Sequence, residues 1–276
     1  PSEATSQLYL TGVGNRSYFD ARTYYWLGFS GADVQRQIPW VRPVIDYSNV
    51  INRPVLGGEV SYKVNFTSLE RNQIALDPCQ TSADPGRTSC LRGIPGDYTR
   101  LSAEVMWRRS FTDPVGQIWT PFASLRADVM GAHIDDQPGI ANYAQYLRPG
   151  DMSAVRFMPA VGLEYRYPWI NVQPWGTTTI EPIAQVILRP DERYAGRWPN
   201  EDAQSLTFDD SNLFSVDKFS GWDRVEGGGR ANVGVQATTQ FDQGGFVSAL
   251  FGQSYHLFGL NSYSIGSLTN TGLRSG

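Results

Sequence analysis

The chain has 276 residues, of which 41% are hydrophobic, 13% aromatic and 18% charged, with 28 Gly and 17 Pro. That balance excludes a disordered tail, a coiled coil and a collagen-like repeat. A net charge of −4 argues against a nucleic-acid partner, whose phosphates need a basic face, and 2 His and 2 Cys leave little material for a metal site.

No apolar run reaches the roughly 18 residues of a membrane-spanning helix. The dominant signal is strict alternation, which places successive side chains on opposite faces of a strand. Taken along the chain, it predicts about ten strands, near residues 6–14, 16–28, 38–51, 54–68, 98–111, 117–131, 154–168, 177–189, 229–241 and 245–257. In the fourth, Val60, Tyr62, Val64 and Phe66 oppose Glu59, Ser61, Lys63 and Asn65. In the fifth, Leu101, Ala103, Val105 and Trp107 oppose Ser102, Glu104 and Arg108. The seventh sets Val155, Phe157, Pro159, Val161, Leu163, Tyr165 and Tyr167 against Arg156, Glu164 and Arg166. Pro43, Pro121, Pro159 and Pro182 fall inside predicted strands and are expected to mark weak points or bulges, because proline cannot donate to a ladder. The last strand alternates less well, since Phe246 and Leu250 fall on its polar face.

Predicted connections alternate between short turns (14–15, 52–53, 112–116, 169–176, 242–244) and long links (29–37, 69–97, 132–153, 190–228). An outer-membrane barrel segregates loop length by end in this way, with short turns in the periplasm and long loops outside. Trp107, Phe111, Trp119 and Phe122 crowd one short turn, and Tyr165, Tyr167, Trp169 and Trp175 another, as expected of rings at the headgroup level. A soluble β domain is the alternative, but it would have to cover the charge-free face of residues 155–167. Pro1 follows no signal-peptide pattern, and Thr269 to Gly276 read as a loop. The chain is therefore expected to be a single domain over 1–276, a segment of a larger barrel incomplete at both ends. Its two open edges predict that it does not fold alone. Cys79 and Cys90, in a polar Pro/Gly-rich stretch, are spaced for a local disulfide, with two unpaired thiols as the alternative.

One stretch is more specific. Phe208 to Val235, with Phe219-Ser-Gly-Trp-Asp-Arg-Val at its core and Ala231-Asn after it, resembles the lipopolysaccharide-assembly family LptD of Gram-negative outer membranes. Leu8-Tyr-Leu-Thr-Gly, Arg16-Ser-Tyr-Phe-Asp-Ala-Arg, Pro43-Val-Ile-Asp-Tyr and Pro54-Val-Leu-Gly-Gly-Glu are similar to the same family, most closely its alphaproteobacterial branch. The resemblance implies an all-β, antiparallel transmembrane barrel of about 26 strands, of which this chain is the middle (compare the known range of barrel sizes). It also implies transport of lipopolysaccharide from the periplasm to the outer leaflet, with no cofactor and no catalysis. The implied partners are lipopolysaccharide, a lipoprotein plug LptE, outer-membrane lipid, and periplasmic bridge proteins that dock on an N-terminal jellyroll outside this chain. The family's known disulfides do not match Cys79 and Cys90.

On this reading the polar faces line a lumen. The candidates are Glu59, Lys63, Glu104, Arg108, Arg126, Asp128, Arg156, Glu164, Arg166, Glu181, Gln185 and Arg189. Their mixed charge suits a wall that packs on a plug and passes an amphipathic substrate without trapping it. Phe219, Ser220, Gly221, Trp222, Asp223 and Arg224 form a loop motif expected to fold into or over the barrel mouth. There Phe208, Phe214, Phe219 and Trp222 would bury, and Asp223 and Arg224 would pair. Two enzyme readings compete. A ten-stranded outer-membrane protease would use His133 with Asp135 and Asp136 in one outer loop and Asp209 and Asp210 in another. A secreted glycosidase would use Asp209 or Asp210. Neither set sits in a recognisable catalytic motif.

Overall fold

The computed structural model describes residues 3–31, 33–78, 89–138, 140, 148–194, 198–203 and 211–262. Its strands are β1 (Glu3–Val13), β2 (Ser17–Gly28), β3 (Trp40–Val50), β4 (Glu59–Arg71), β5 (Ala75–Pro78), β6 (Ser89–Gly93) and β7 (Gly96–Arg108). They continue with β8 (Phe111–Thr112), β9 (Ile118–Ile134), β10 (Gly150–Arg166), β11 (Trp169–Gln173), β12 (Gly176–Leu188), β13 (Gly229–Phe241) and β14 (Phe246–Phe258). Among the described residues, one 12-stranded sheet follows the path β1-β2-β3-β4-β7-β9-β10-β12-β13-β14. The short strands β8 and β11 pair off this path with β9 and β12, so 12 less these two leaves the ten expected from alternation. β5 and β6 form a separate hairpin within the link between β4 and β7.

Several boundaries differ from the expected ones, for local reasons. β4 begins at Glu59 rather than near 54, because Pro54, Gly57 and Gly58 turn the chain and Val55 bridges back to Gly58. β7, β9 and β10 reach further toward the long links than expected, since each rung from Gly96–Ile134 and from Ile134–Gly150 still finds a partner. The expected turn at 169–176 contains β11, where Trp-Ile-Asn-Val-Gln alternates and folds back on β12. Cys79 lies outside the described residues, so the expected disulfide with Cys90 of β6 is not placed.

The prolines are accommodated where a strand lacks a neighbour. Pro121 lies one residue past the last β9 rung to β7, Arg108–Phe122. Pro182 lies one past the last β12 rung to β10, Arg166–Ile183. Pro159 precedes Val161, where β10 begins to pair with β12. In each case the missing N–H falls on a flank without a ladder to complete. Pro43 alone coincides with a register irregularity, between Val41 and Val44 of β3.

Directly opposed residues in an antiparallel pair project to the same side, so register sorts the faces. One face carries Leu101, Val105, Leu125, Val129, Val155, Phe157, Val161 and Leu163, all exposed, with Phe157 at 63%. Near the short connections this face ends in aromatic pairs, Trp119 with Tyr165 at 4.7 Å and Tyr167 with Trp169 at 5.4 Å between centroids. The opposite face is polar along most of its length and is covered toward the long links. There a small apolar core packs Leu69, Tyr98, Met130 and Ile134 of the strands against Ile74, Leu91, Ile94, Ile140 and Trp198 of the links.

An apolar face this broad is stable against hydrocarbon and not against water. Val161→Arg is expected to destabilise the assembled protein by roughly 2–4 kcal/mol, the cost of a cation on the lipid side of a barrel. Denaturant titration in bilayers measures it. Gly162→Ala would instead clash with Phe122, 2.3 Å from the new Cβ, and serves as the packing comparison.

Candidate functional site

Across the polar face runs a continuous row of opposed residues. Thr11 faces Asp20, Asp20 faces Asp46, Asp46 faces Asn65, Asn65 faces Ser102, Ser102 faces Asp128, and Asp128 faces Arg156. Hydrogen bonds knit it at Thr11–Asp20 (2.7 Å) and Asn65–Asp46 (2.8 Å). Residues two positions along each strand share the face, which adds Thr67, Arg71, Arg100 and Arg126.

The link between β12 and β13 lies on this row. Its segments 191–194, 198–203 and 211–228 bring carboxylates and backbone carbonyls to the arginines of the wall. Asp223, fully buried, accepts from Tyr98 and Arg100 of β7, and from the backbone N–H groups of Glu201 (2.6 Å) and Asp202 (3.1 Å). Trp198 donates its indole N–H to Tyr98 at 3.0 Å. Arg100 reaches on to Asn65 (2.6 Å) and Asp202 (2.9 Å). Arg71 makes a two-pronged pair with Glu201 (2.9 and 2.6 Å) and also donates to the Ile94 carbonyl. Arg126 and Arg156 grip the carbonyls of Trp222, Asp223 and Arg224. Further along, Arg189 donates to the carbonyls of Val216 and Glu226, Gln185 to that of Phe214, and Arg230 pairs with Glu226.

Gly221 permits the tight approach. Its φ of +71° lies in the left-handed region, and a Cβ there would stand 2.7 Å from the Asp202 carboxyl carbon. Asp202 in turn accepts from the backbone N–H groups of Trp222 and Asp223, both at 2.9 Å. Burial first, and then the charge of Asp223, push the Asp202 carboxyl up to about 6 against the pull of Arg100. Burial acts to raise Asp223 as well, but Arg100, the Tyr98 hydroxyl and the Glu201 N–H outweigh it and hold Asp223 below the usual range. Burial lowers Lys218 to about 8 despite the nearby Glu226; its Nζ lies 3.3 Å from both Asn232 and Ser254.

All twelve residues expected on the polar face share one side of the sheet, but they fall into two environments. Arg126, Asp128, Arg156, Gln185 and Arg189 are buried beneath the link. Glu59, Lys63, Glu104 and Arg108 lie toward the short connections, outside its cover; Glu59 pairs with Arg16 at 2.8 Å. Glu164, Arg166 and Glu181 form a half-open cluster, with Arg166 2.7 Å from Glu164 and 3.3 Å from Glu181. Between the two regions is a cavity of about 560 Å³, lined by Lys63, Glu104, Arg126 and Met158 from the wall and by Phe219 and Trp222 from the link.

Within the motif, Phe219 and Asp223 are buried and Trp222 is half-buried, while Phe208 lies outside the described residues. The ion partner given to Asp223 is Arg100, more than 120 residues away in sequence, rather than the adjacent Arg224 that the motif suggested. Tyr98, Arg100, Asn65 and Arg71 were legible by extending the alternation of Glu104 and Lys63 by two or more residues; Trp198, Glu201 and Asp202 had no such signal. His133 is not in an outer loop, because the β9 ladder extends through it. It pairs with Asp151 of β10 on the apolar side of the sheet, away from the row. Asp209 and Asp210 lie outside the described residues.

A family model described as LptD, LPS transport system D, matches residues 2–275. No curated protein matches the chain.

Removing one partner of a buried ion pair strands the other, so Asp223→Ala is expected to loosen the link by roughly 3–5 kcal/mol. Limited proteolysis within 191–228 reads this directly. Asp202→Asn is expected to be far milder, because it removes a charge that burial opposes. The signs of pH dependence differ accordingly. Asp202, raised to about 6, weakens the link above that pH and stops doing so as pH falls toward its ordinary 3.8. Asp223, held low, strengthens the link until the pH falls through its depressed value. Proteolytic protection is therefore expected to rise between pH 7 and about pH 5, and to lose that rise in Asp202→Asn.

Proposed function

The chain belongs to the LptD family, non-enzymatic outer-membrane β-barrel proteins that transport and assemble lipopolysaccharide, and from that premise we propose that its sheet is a stretch of barrel wall. Its apolar face meets lipid, its polar face lines the lumen, and the link 190–228 closes the outer mouth above that stretch. The chain 1–276 is then one barrel segment whose neighbours on both edges are other strands of the same barrel.

The observation that carries this reading is the two-sidedness of β10. Val155, Phe157, Val161 and Leu163 are 40–63% exposed, while Arg156, Met158 and Ala160 between them are buried beneath the link. A soluble sandwich would cover the first set, whereas a barrel leaves it to the membrane. Long connections gather at the covered end, which is the outer end in such barrels. Lipopolysaccharide, bound by the family, would meet the open half of the polar face: Glu59, Lys63, Glu104, Arg108, Glu164, Arg166 and Glu181. The lipoprotein plug LptE would pack on the same half. Its mixed charge and the hydroxyls of Thr238 and Ser248, 3.0 Å apart, offer hydrogen bonds without a strong field. The periplasmic bridge proteins would act through the family's N-terminal domain, without contacting this sheet. Transport here needs no covalent step, so the wall contributes a path and a closure rather than a reacting group.

Photo-crosslinking in cells separates the faces, because a shift of one residue crosses the sheet. In the full-length protein, a probe at Arg166 is expected to capture lipopolysaccharide or the plug. A probe at Tyr165 is expected to capture only bilayer lipid. Protein adducts at both positions, with no lipid at Tyr165, would remove the barrel-wall reading.

A further inference from the structure

The two arginines that hold the loop motif are themselves held from behind by one carboxylate. Asp128, fully buried on β9, accepts from Arg126 Nε at 3.1 Å on each oxygen and from Arg156 Nε at 2.8 Å. The outer nitrogens of the same guanidiniums point forward. Arg156 donates to the carbonyls of Asp223 and Trp222, both at 2.9 Å; Arg126 donates to those of Trp222 and, at 3.4 Å, Arg224. A guanidinium is a rigid planar fork, so fixing its Nε edge fixes the aim of the other nitrogens. Aromatic rings complete the seat: Arg126 lies over Trp222 at 5.0 Å and Arg156 over Trp198 at 4.4 Å.

We propose that Asp128 is the positioning residue of a latch on the outer mouth. Among the described residues it makes no hydrogen bond to the loop, but it sets Arg126 and Arg156 so that they hold the backbone of residues 222–224 against the wall. The inference rests on the reading of the polar face as lumen wall. It also withdraws Arg126, Asp128 and Arg156 from the surface that substrate meets, and assigns them to the state of the mouth.

Two features suit a reversible contact. The groups hydrogen-bonded are neutral carbonyls, which water can take over when the loop leaves; the loop carboxylates Asp217 and Glu192 stand farther off, 3.8 Å from Arg126 and 3.9 Å from Arg156. After release, Arg126, Asp128 and Arg156 remain paired with one another, so no carboxylate is stranded in the wall. The Arg100–Asp223 pair differs, with two fully buried charges hydrogen-bonded directly across the seam, and its separation carries the heavier penalty. The latch therefore governs the Trp222 end of the loop, and the ion pair anchors its base.

Ser102 supplies a reporter. It is buried on the wall beside Asp128, its hydroxyl has no hydrogen-bond partner among the described residues, and Ser102→Cys changes its size little. In the full-length protein assembled in the outer membrane, maleimide modification at position 102 is read by peptide mass spectrometry. With Asp128→Asn the rate is expected to rise roughly tenfold or more, the equivalent of one charge-assisted hydrogen bond. Entry of a large hydrophilic antibiotic is expected to rise with it. Asp128→Glu keeps the carboxylate and is expected to stay near the parent rate. A residue that only packs would behave the other way, with the isosteric Asn silent and the larger Glu disruptive; that order, or equal rates in all three proteins, would overturn the latch. Should Asp128→Asn fail to assemble, Arg156→Lys keeps the charge, loses the fork and carries the same expectation. A silent Asp128→Asn beside a normal Arg166 crosslink would sink the latch and leave the lumen reading standing.

Discussion

Charge on the sheet's polar face must be matched once a loop covers it, and Asp223 is where that requirement is met. One carboxylate from the link collects the Tyr98 hydroxyl, the Arg100 guanidinium and two backbone N–H groups of its own loop. A buried arginine without such an acceptor would cost several kcal/mol. The wall therefore cannot keep Arg100 where it is unless the link returns to it. Around this pair the remaining contacts follow the same chemistry: arginine from the strands, carboxylate or carbonyl from the loop. The seam is largely ionic and hydrogen-bonded, with apolar packing in the small cluster around Leu69, Tyr98, Met130 and Trp198 and at the buried Leu213, Phe219 and Val225 of the link.

The other face obeys the opposite constraint. Nothing among the described residues covers Val129, Val155, Phe157 or Val161, and the strands that carry them are long and, apart from Asp151 and His133 at the end toward the long links, free of charge on that side. The same strands thus meet two solvents, and the period of two assigns every side chain to one of them. On the proposed reading, for a family that moves an amphipathic lipid across a membrane, this division is the working surface. Saccharide and phosphate would then meet the polar wall and acyl chains the apolar side, and the proposed closure at the outer end would keep the wall from lining an open pore.

Much of this was written in the alternation. The ten main strands, the common face of the twelve polar candidates and the division into short and long connections follow from period two, and Arg166, Tyr165 and their neighbours could be placed without coordinates. The boundaries were less legible, because β4, β9 and β10 run on into stretches whose polar composition reads as loop, as at Asp151 or Arg71. What alternation could not give is register. Asn65, Ser102, Asp128 and Arg156 become neighbours only when four strands are aligned, and nothing local announces it. The motif at Phe219 to Arg224 was visible as a motif, but its partners were not. Arg100 is one arginine among many until Asp223 lies against it, and Glu201 and Asp202 sit in a stretch with no periodicity at all. His133 shows the converse error, where a His near Asp135 and Asp136 suggested chemistry and the ladder turned it to the wrong side.

The claim on which the rest depends is that one sheet separates hydrocarbon from a loop-covered polar interior. Spin labels placed singly from Ala154 to Glu164 of β10, in the full-length protein in bilayers, test it most directly. Oxygen accessibility is expected to peak at 155, 157, 161 and 163 and to fall at 154, 156, 158 and 160, with a water-soluble relaxant never favouring the first set. Equal accessibility at neighbouring positions, or a water-soluble relaxant that reaches 155, 157 and 161 best, would contradict it.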